Sequence, residues 1–247
     1  MYRDTPVAGS NRGKLTVAIA VFAAIFGGWL ALVYIQSVRE AELVARSPLP
    51  ETSGTRPGCM LWFVGSSSMH NWKTLKHDMV PWDARNRGIR GATMDEITTR
   101  FGNERPGPAP RAIIYYAGEN DIAFGHSAGE AIDELGKFIA AKRRRLGGIP
   151  LLVMSLKPSP TRWDDRPEQA EFNTAAFRIA EDQDDVDFVD IVPRLLINGR
   201  PGPYYVDDGI HMNAAGYATW AAALRAELPH AVPAKALKEC GAPSEKT

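Results

Sequence analysis

The sequence predicts a three-layer α/β/α domain built on a five-stranded parallel sheet and preceded by one membrane-spanning helix. Short apolar runs alternate along the chain with longer stretches of helix-like pattern. Because these runs are almost continuously apolar, both faces of each strand are expected to be buried, as in a parallel sheet covered by helices. A longer stretch without charges lies near the N-terminus, at residues 15–36. It predicts a separate helix that crosses a membrane.

Five strands and three helices are predicted within the α/β domain. Short apolar runs next to glycine or proline are typical of buried strands. The four clearer strands cover residues 60–64, 112–117, 151–156 and 186–189. A weaker strand near residues 83–87 completes the sheet. The helix-like stretches cover residues 129–146, 167–181 and 214–228.

Composition and charge exclude several classes of protein. The 247 residues carry 29 basic and 29 acidic side chains, so no net charge draws the chain toward nucleic acid. Hydrophobic residues make up 45% and charged residues 23%, as in an ordinary globular protein. Two widely spaced cysteines form neither a disulfide-rich scaffold nor a four-ligand zinc pattern. Since no HExxH, P-loop or GxGxxG context occurs, no metal and no nucleotide cofactor are expected.

The apolar stretch at residues 15–36 is long enough to act as a membrane anchor. As a helix it spans roughly 33 Å, which matches the hydrocarbon core of a bilayer. Trp29 and Tyr34 lie toward its C-terminal end, where aromatic rings favour the membrane interface. A cleaved signal peptide is the alternative, but its apolar region is normally shorter and is followed by a small-x-small cleavage site. We therefore favour an uncleaved anchor.

The basic residues around this stretch predict its orientation. Arg3, Arg12 and Lys14 precede it, whereas Arg39 and Arg46 follow it. Lys and Arg are enriched on the cytoplasmic side of membrane spans, so the N-terminus is expected inside. The α/β domain would then lie in an extracytoplasmic compartment such as a periplasm.

The rest of the chain divides by composition. Residues 37–46 continue as a short helix, and residues 47–58 contain the helix breakers typical of a linker. We therefore expect a tail, a membrane span, a linker, one α/β domain and a second tail, at residues 1–14, 15–36, 37–58, 59–230 and 231–247.

Four polar segments follow the strands or precede the last helix. In an open parallel sheet the functional site lies at the carboxyl ends of the strands. A serine triplet follows the first strand, a glycine-containing loop follows the weak strand, GEND follows the 112–117 strand, and DGIH precedes the last helix. Together they supply a nucleophile, two oxyanion donors, a base and an orienting carboxylate, as acyl-transfer hydrolysis requires. Taken singly, each segment is more typical of a turn, a solvated loop or a helix cap than of a catalytic residue.

These segments resemble, in the same order, the four sequence blocks of the SGNH (GDSL-type) hydrolase superfamily over residues 59–228. The resemblance implies a flavodoxin-like sheet. The family's first block usually reads Gly-Asp-Ser, and here it is Gly65-Ser66-Ser67. Ser66 therefore replaces the aspartate, and the resemblance makes Ser67 the nucleophile. Because three serines are consecutive, Ser66 and Ser68 remain alternatives for that role.

The other three blocks supply the remaining members of the implied site. Gly91, in the sequence RGAT, matches the glycine whose backbone N–H points at the oxyanion, and Asn120 matches the asparagine that donates from its side chain. Asp208 and His211 match the Asp-x-x-His block, whose imidazole accepts the serine proton and whose carboxylate orients the imidazole. The N–H of Ser67 would be a third oxyanion donor. Gly91 is expected to allow a close backbone approach because it has no Cβ.

The resemblance implies a serine esterase that needs no cofactor. Its substrate would be a carboxylic ester, with acetyl as the leading acyl group, carried on a small molecule, a lipid or a glycan. Transfer of the acyl group to another alcohol is a variant of the same chemistry. The alternative is a non-catalytic envelope protein that binds a glycan or a partner through the same cleft.

Two aromatic side chains are candidates for the substrate pocket. Trp163 lies in the proline-rich segment 157–163, which follows the third apolar strand. The segment either shapes the pocket or is a rigid connector with Trp163 folded onto the core. Tyr204, in the loop before the last block, either stacks on a sugar or covers the sheet edge.

The two cysteines are candidates for a disulfide. Cys59 precedes the first strand, at the end of the sheet opposite the site, and Cys240 follows the last predicted helix, which ends at that same edge. The two thiols can therefore meet across 181 positions of sequence. A disulfide persists in an oxidising compartment, which agrees with an external domain. The alternative is two unpaired thiols, one of them in a frayed tail.

Overall fold

The computed structural model describes residues 11–50 and 53–243, and the chain separates into two compact units after Arg46. The first unit contains α1, Asn11–Arg46. Within it, Ile19–Val44 is long and apolar enough to cross a membrane, although a signal sequence near an N-terminus meets the same criterion. The large apolar side chains described in this stretch are exposed. The predicted helical continuation after residue 36 is part of α1, whereas Arg3 lies outside the described residues.

The second unit is built on the predicted five-stranded parallel sheet. Its strands are β1 (Met60–Gly65), β2 (Asp83–Gly88), β3 (Ala112–Tyr116), β4 (Leu151–Met154) and β5 (Val186–Val189). All neighbouring strands pair in parallel, in the order β2-β1-β3-β4-β5. The flavodoxin-like fold class is therefore confirmed. β1 lies between β2 and β3, so the loop that follows β1 is flanked by the loops after both neighbours.

Helices cover both faces of the sheet. They are α2 (Ser67–His70), α3 (Leu75–Asp78), α4 (Met94–Gly102), α5 (Glu119–Ala123), α6 (Ala128–Leu146), α7 (Arg166–Glu181), α8 (Val192–Leu195), α9 (Ala214–Ala231) and α10 (Ala234–Cys240). The three predicted helices correspond to α6, α7 and α9. Between α8 and α9 lies a small antiparallel hairpin of β6 (Leu196–Ile197) and β7 (Arg200–Pro201).

The fourth strand is shorter than predicted. The apolar run continues to Leu156, but β4 ends at Met154. The backbone of Leu156 is bound instead by the Asn173 side chain of α7, which accepts from its N–H at 2.6 Å and donates to its carbonyl at 3.1 Å. The chain therefore leaves the sheet while it is still fully buried, since Leu156 has no exposed surface.

Aromatic packing fixes α9 against the turn that follows β1. The indole of Trp72, between α2 and α3, stacks on Tyr217 of α9 with ring centroids 5.2 Å apart, and it meets Trp220 edge-on at 5.9 Å. The Tyr217 hydroxyl donates to the carbonyl of Ser68 at 2.8 Å. Aromatic pairs of this kind stabilise beyond the area they bury. These contacts bring the segment that leads into α9 close to the turn that follows β1.

The predicted linker is wrong in its second half. Leu49 is 1% exposed and belongs to the hydrophobic core, and its N–H donates to the Glu104 carboxylate at 2.8 Å. The carbonyls of Leu49 and Pro50 accept from the guanidinium of Arg87. Prolines prevent a helix here, but they leave an apolar side chain free to pack and carbonyls free to accept. The folded unit therefore begins before Cys59.

The predicted C-terminal tail is also wrong over residues 234–240, which form α10. Leu237 and Cys240 are buried. Cys240 is joined to Cys59 in a disulfide, with the two Cα atoms 5.5 Å apart. Cys59 directly precedes β1, so this bond lies at the edge of the sheet where β1 begins. It holds α10 against the amino end of β1.

Candidate active site

The serine triplet lies at the carboxyl end of β1. Ser66 is extended (φ −86°, ψ −156°), and its N–H donates to the carbonyl of Tyr116 at the end of β3, 3.1 Å away. Ser67 is the first residue of α2. Ser66 and Ser68 are buried, whereas Ser67 is partly exposed. The turn between β1 and α2 therefore leaves Ser67 partly accessible to solvent at the carboxyl end of the sheet.

Ser67, His211 and Asp208 form a continuous chain of hydrogen bonds. Ser67 Oγ lies 2.9 Å from His211 Nε2. His211 Nδ1 lies 2.6 Å from Asp208 Oδ2. A neutral imidazole that donates through Nδ1 to the carboxylate has Nε2 free to accept the serine proton. The structure therefore brings together the serine, histidine and aspartate that the sequence resemblance selects.

Asp208 is held in the ionised form. Its other oxygen, Oδ1, accepts from the backbone N–H groups of Ile210 and His211, both at 2.8 Å. Partial burial alone would raise the pKa of Asp208, but the hydrogen bond from the His211 ring and those two backbone donors lower it to about 2. The carboxylate is therefore available at neutral pH to fix the imidazole and to stabilise it when protonated.

Gly91 lies in the loop between β2 and α4, with φ +71°. This backbone conformation favours glycine, because other residues are strained there. A Cβ at Gly91 would meet no atom of the described residues within 4 Å, so the positive φ, and not crowding by neighbouring protein atoms, favours glycine at this position.

Asn120 is buried on the short helix α5. Its Nδ2 donates to the carbonyl of Ala92 at 2.9 Å, next to Gly91 in the chain. Its Oδ1 accepts from Arg162 Nη2, also at 2.9 Å. One hydrogen of the Nδ2 group is used by Ala92, and the second is available for another acceptor. Asn120 therefore connects the Gly91 loop to the segment that follows β4.

A family model for GDSL-like lipases and acylhydrolases matches residues 52–219, which is most of the chain. The chain belongs to the GDSL-like lipase/acylhydrolase family. The match extends from the segment before β1 into α9 and so includes all four polar segments of the site.

Solved structures show the same fold at low sequence identity. A protein of Streptococcus pneumonia, provisionally assigned as a platelet activating factor, has a TM-score of 0.64 and 20% identity, covering 82% of this chain and 99% of its own. A GDSL-like lipase of Bacteroides thetaiotaomicron has a TM-score of 0.59 and 19% identity, covering 78% and 97%. A carbohydrate esterase of family 3 from Talaromyces cellulolyticus has a TM-score of 0.56 and 17% identity, covering 69% and 96%. No curated protein matches the chain.

In this GDSL-like hydrolase, the aspartate of the GEND block supports the backbone. Asp121 is buried, and its carboxylate accepts from the N–H of Met94, the first residue of α4, at 3.1 and 3.3 Å. Burial raises the pKa of Asp121, and the hydrogen bond from Met94 opposes that effect. Asp121 thus ties α5 to the end of the Gly91 loop through a contact between residues 27 positions apart.

A buried ion pair that sequence analysis missed lies beneath the serine triplet. Lys157, with no exposed surface, donates from Nζ to Glu119 Oε2 at 2.5 Å, to Ser68 Oγ at 3.2 Å and to the hydroxyl of Tyr116 at 3.2 Å. Burial lowers the pKa of Lys157, and the charge of Glu119 opposes that effect. The signal in the sequence was a lysine directly after a buried strand, where a lone charge needs a partner.

The two aromatic pocket candidates are placed differently. Trp163 is half-buried, with the guanidinium of Arg200 5.2 Å from its ring centroid, and it lines an open depression together with Asp164. Tyr204 packs against the hydrophobic core, and its carbonyl accepts from the N–H of Asn213 at 2.9 Å. Tyr204 is therefore half-buried against the core, and Trp163 is neither fully exposed nor folded into the core.

The side chains that could ligate a metal ion do not cluster in the described part of the chain. In residues 11–50 and 53–243, no group of three or more His, Cys, Asp or Glu side chains is arranged to hold a metal ion.

Proposed function

We propose that this protein is a serine esterase that hydrolyses a carboxylic ester, with Ser67 as nucleophile, His211 as general base and acid, and Asp208 as the orienting carboxylate. The observation that carries the proposal is the chain of hydrogen bonds from Ser67 Oγ through the imidazole to Asp208, with distances of 2.9 and 2.6 Å. Membership of an acylhydrolase family supports the same reaction class.

The reaction follows from these contacts. His211 Nε2 takes the proton of Ser67 Oγ as that oxygen attacks the ester carbonyl carbon and forms a tetrahedral oxyanion. The imidazolium then gives the proton to the departing alkoxide, and the acyl group stays on Ser67. A water molecule, deprotonated by the same imidazole, attacks the acyl-enzyme, and the carboxylic acid leaves with Ser67 regenerated.

Three donors are proposed to stabilise the oxyanion. They are the backbone N–H groups of Ser67 and Gly91 and the side-chain Nδ2 of Asn120. Ser67 begins α2, and the first N–H groups of a helix have no acceptor within the helix. Gly91 and Asn120 are linked through Ala92, so two donors come from one connected piece of structure. Such donors stabilise the transition state more than the bound ester.

The proposed substrate is an ester of a small molecule, a lipid or a glycan, with acetyl as the leading acyl group. The structural likeness to a carbohydrate esterase agrees with an acylated sugar. We further propose that residues 15–36 anchor the chain in a membrane, with its N-terminus inside and its catalytic unit in an extracytoplasmic space. The Cys59–Cys240 disulfide supports an oxidising compartment for that unit.

Hydrolysis of p-nitrophenyl acetate tests the proposal. The full chain in detergent and the separate unit Ser47–Thr247 are both suitable, whereas a fragment starting at Cys59 would lose Leu49 from the core. We expect Ser67→Ala and His211→Ala each to abolish most turnover. Ser66→Ala is the register control, because Ser66 is buried beside the nucleophile.

Two results would contradict the proposal. Wild-type turnover no greater than that of Ser67→Ala would favour a non-catalytic binding protein. Retention of wild-type rate by Ser67→Ala, with loss of activity in Ser66→Ala or Ser68→Ala, would assign the nucleophile to another serine. Asp208→Asn is expected to be severe without equalling the other two substitutions, because it removes the group that orients the imidazole but neither the nucleophile nor the base.

A further inference from the structure

A guanidinium contacts the amide proposed as oxyanion donor. Arg162 lies on the segment between β4 and α7, and its Nη2 donates to Asn120 Oδ1 at 2.9 Å. Arg162 is half-buried, and none of the steps proposed above uses it. Its place beside Asn120 therefore needs an explanation of its own.

The two neighbours of the Asn120 amide fix which way it points. Arg162 can only donate, so the amide atom facing it must be oxygen. The carbonyl of Ala92 can only accept, so the atom facing it must be nitrogen. A rotation of the amide by 180° would set nitrogen against the guanidinium and oxygen against the carbonyl. Arg162 and Ala92 together exclude that orientation and hold Nδ2 on the side of the Gly91 loop.

The charge of Arg162 also strengthens the donor. A hydrogen bond from an ionised group is stronger than one between neutral groups, and it polarises the acceptor. Electron density drawn toward Oδ1 makes the remaining N–H of Asn120 a better donor to a negative oxygen. This effect increases as negative charge develops, so it acts on the transition state rather than on the bound ester.

The segment that carries Arg162 is attached to the loop of the acid and base. Thr161 Oγ1 donates to the carbonyl of Asp208 at 2.7 Å, and the N–H of Thr161 donates to the carbonyl of Gly209 at 3.2 Å. The residue next to Arg162 is thus bound to the loop that contains Asp208 and leads to His211. The position of Arg162 relative to the triad is therefore set by direct contacts.

We propose that Arg162 is a positioning residue that orients and polarises the Asn120 amide for the oxyanion. This inference rests on the proposed esterase function. According to this proposal, Arg162 acts through Asn120 and does not contact the ester. Loss of Arg162 should therefore lower kcat, leave KM nearly unchanged, and have no further effect once the Asn120 amide is absent.

Kinetics on the full chain in detergent, with p-nitrophenyl acetate, test this coupling. Arg162→Met should lower kcat by about 10- to 100-fold, the effect of losing one charged hydrogen bond. Arg162→Lys, which retains a cationic donor, should recover part of that loss. In an Asn120→Ala background, adding Arg162→Met should change kcat by less than about twofold. Arg178→Met, which removes an exposed arginine of α7, is the control and should match the wild type.

A rise in KM without a fall in kcat would overturn the inference and make Arg162 a substrate-binding residue. Equal fold-losses from Arg162→Met in the wild-type and Asn120→Ala backgrounds would also overturn it, because the arginine would then act independently of the amide.

A second measurement does not depend on turnover. In the 15N-labelled full chain, the Asn120 side-chain NH2 signals are identified by their loss in Asn120→Ala. We expect Arg162→Met to shift these signals and to speed their exchange with water, whereas Arg178→Met leaves them unchanged. Unaltered signals in Arg162→Met would overturn the positioning role. A wild type without activity would refute the proposed function, and the NMR comparison would still decide whether Arg162 orients the amide.

Discussion

Removing one partner of the buried Lys157–Glu119 pair is expected to destabilise the folded unit Ser47–Thr247 strongly. The two side chains are 0% and 3% exposed, so neither charge is solvated by bulk water. Removing a charge from water costs several kcal/mol, and a close partner offsets this cost. Lys157 also donates to Ser68 and Tyr116, whereas Glu119 Oε1 accepts no hydrogen bond from the part of the chain that the structure describes. Glu119 therefore depends strongly on Lys157.

Lys157→Met tests this dependence, because methionine keeps most of the volume and removes the charge. It leaves a carboxylate buried without its cation, which costs about 3–5 kcal/mol. For a unit of this size, that corresponds to a fall in Tm of about 6–20 °C. In Lys157→Met/Glu119→Gln the remaining group is neutral, so the double variant should be more stable than Lys157→Met by about 2 kcal/mol.

Urea unfolding measures these differences with the disulfide kept oxidised. Fluorescence of the buried Trp72 and Trp220 reports on the core of the catalytic unit. Lys137→Met is the matched control, since Lys137 pairs with Glu134 on α6 but its side chain is 62% exposed. Exposed ion pairs contribute little, so the control should unfold almost like the wild type. A loss below about 1 kcal/mol in Lys157→Met, or a double variant no more stable than it, would refute this account of the pair.

Three further predictions concern the oxyanion donor, a pH-dependent ion pair and the disulfide. Asn120→Ala should lower kcat about 100- to 1,000-fold with little change in KM, and a change confined to KM would mark substrate binding instead. The hydrogen bond from Arg143 holds the pKa of Asp185 well below its ordinary value. Asp185→Asn should therefore cost about 1.5–3 kcal/mol at pH 7. Because a lowered carboxyl pKa stabilises the fold above the unfolded-state pKa, urea titrations should show this difference shrinking as pH falls below about 4. Thiol labelling of the unreduced, denatured chain should find Cys59 and Cys240 unreactive, and two reactive thiols would contradict the disulfide. Reduction of the disulfide should lower the free energy of unfolding by up to about 4–5 kcal/mol according to chain-entropy models.

The sheet was predictable because its strands are marked by local sequence. Residues 60–64 are uniformly apolar and end at a glycine, and 186–189 matches β5 at both ends. The helix α4 was missed although Met94, Ile97 and Phe101 form its buried face at helical spacing. At nine residues it is too short for a strong periodic signal.

The errors at the domain boundaries have one physical cause. Breaker-rich sequence between residues 47 and 58 predicts a lack of helix, which is correct for most of it, but it says nothing about tertiary contacts. Leu49 is buried through its contact with the core, and its N–H reaches Glu104, 55 positions along the chain. The same holds for α10, whose Cys240 is bound to a residue 181 positions earlier. Such contacts have no local signature.

In the candidate site too, residues within short motifs could be predicted, whereas residues that depend on contacts distant in sequence could not. The resemblance selected Ser67, Asp208 and His211 because short motifs carry them. It did not select Lys157 or Arg162, whose partners Glu119 and Asn120 are 38 and 42 positions away. A lysine and an arginine within eight residues of a buried strand are ambiguous in sequence, since surface loops contain both. The roles of Lys157 and Arg162 depend on the residues that the tertiary fold places beside them.

The segment between β4 and α7 links the three parts of the candidate site. At its start, Lys157 donates to Ser68, the residue after the proposed nucleophile. Further along, Thr161 donates to the carbonyl of Asp208, the proposed orienting carboxylate, and Arg162 donates to Asn120, a proposed oxyanion donor. The site thus depends on one segment that belongs to none of the four family blocks. Because each contact is made to a different block, a change in the path of this segment would alter their mutual distances, and hence the rate, without altering any residue proposed to touch the ester.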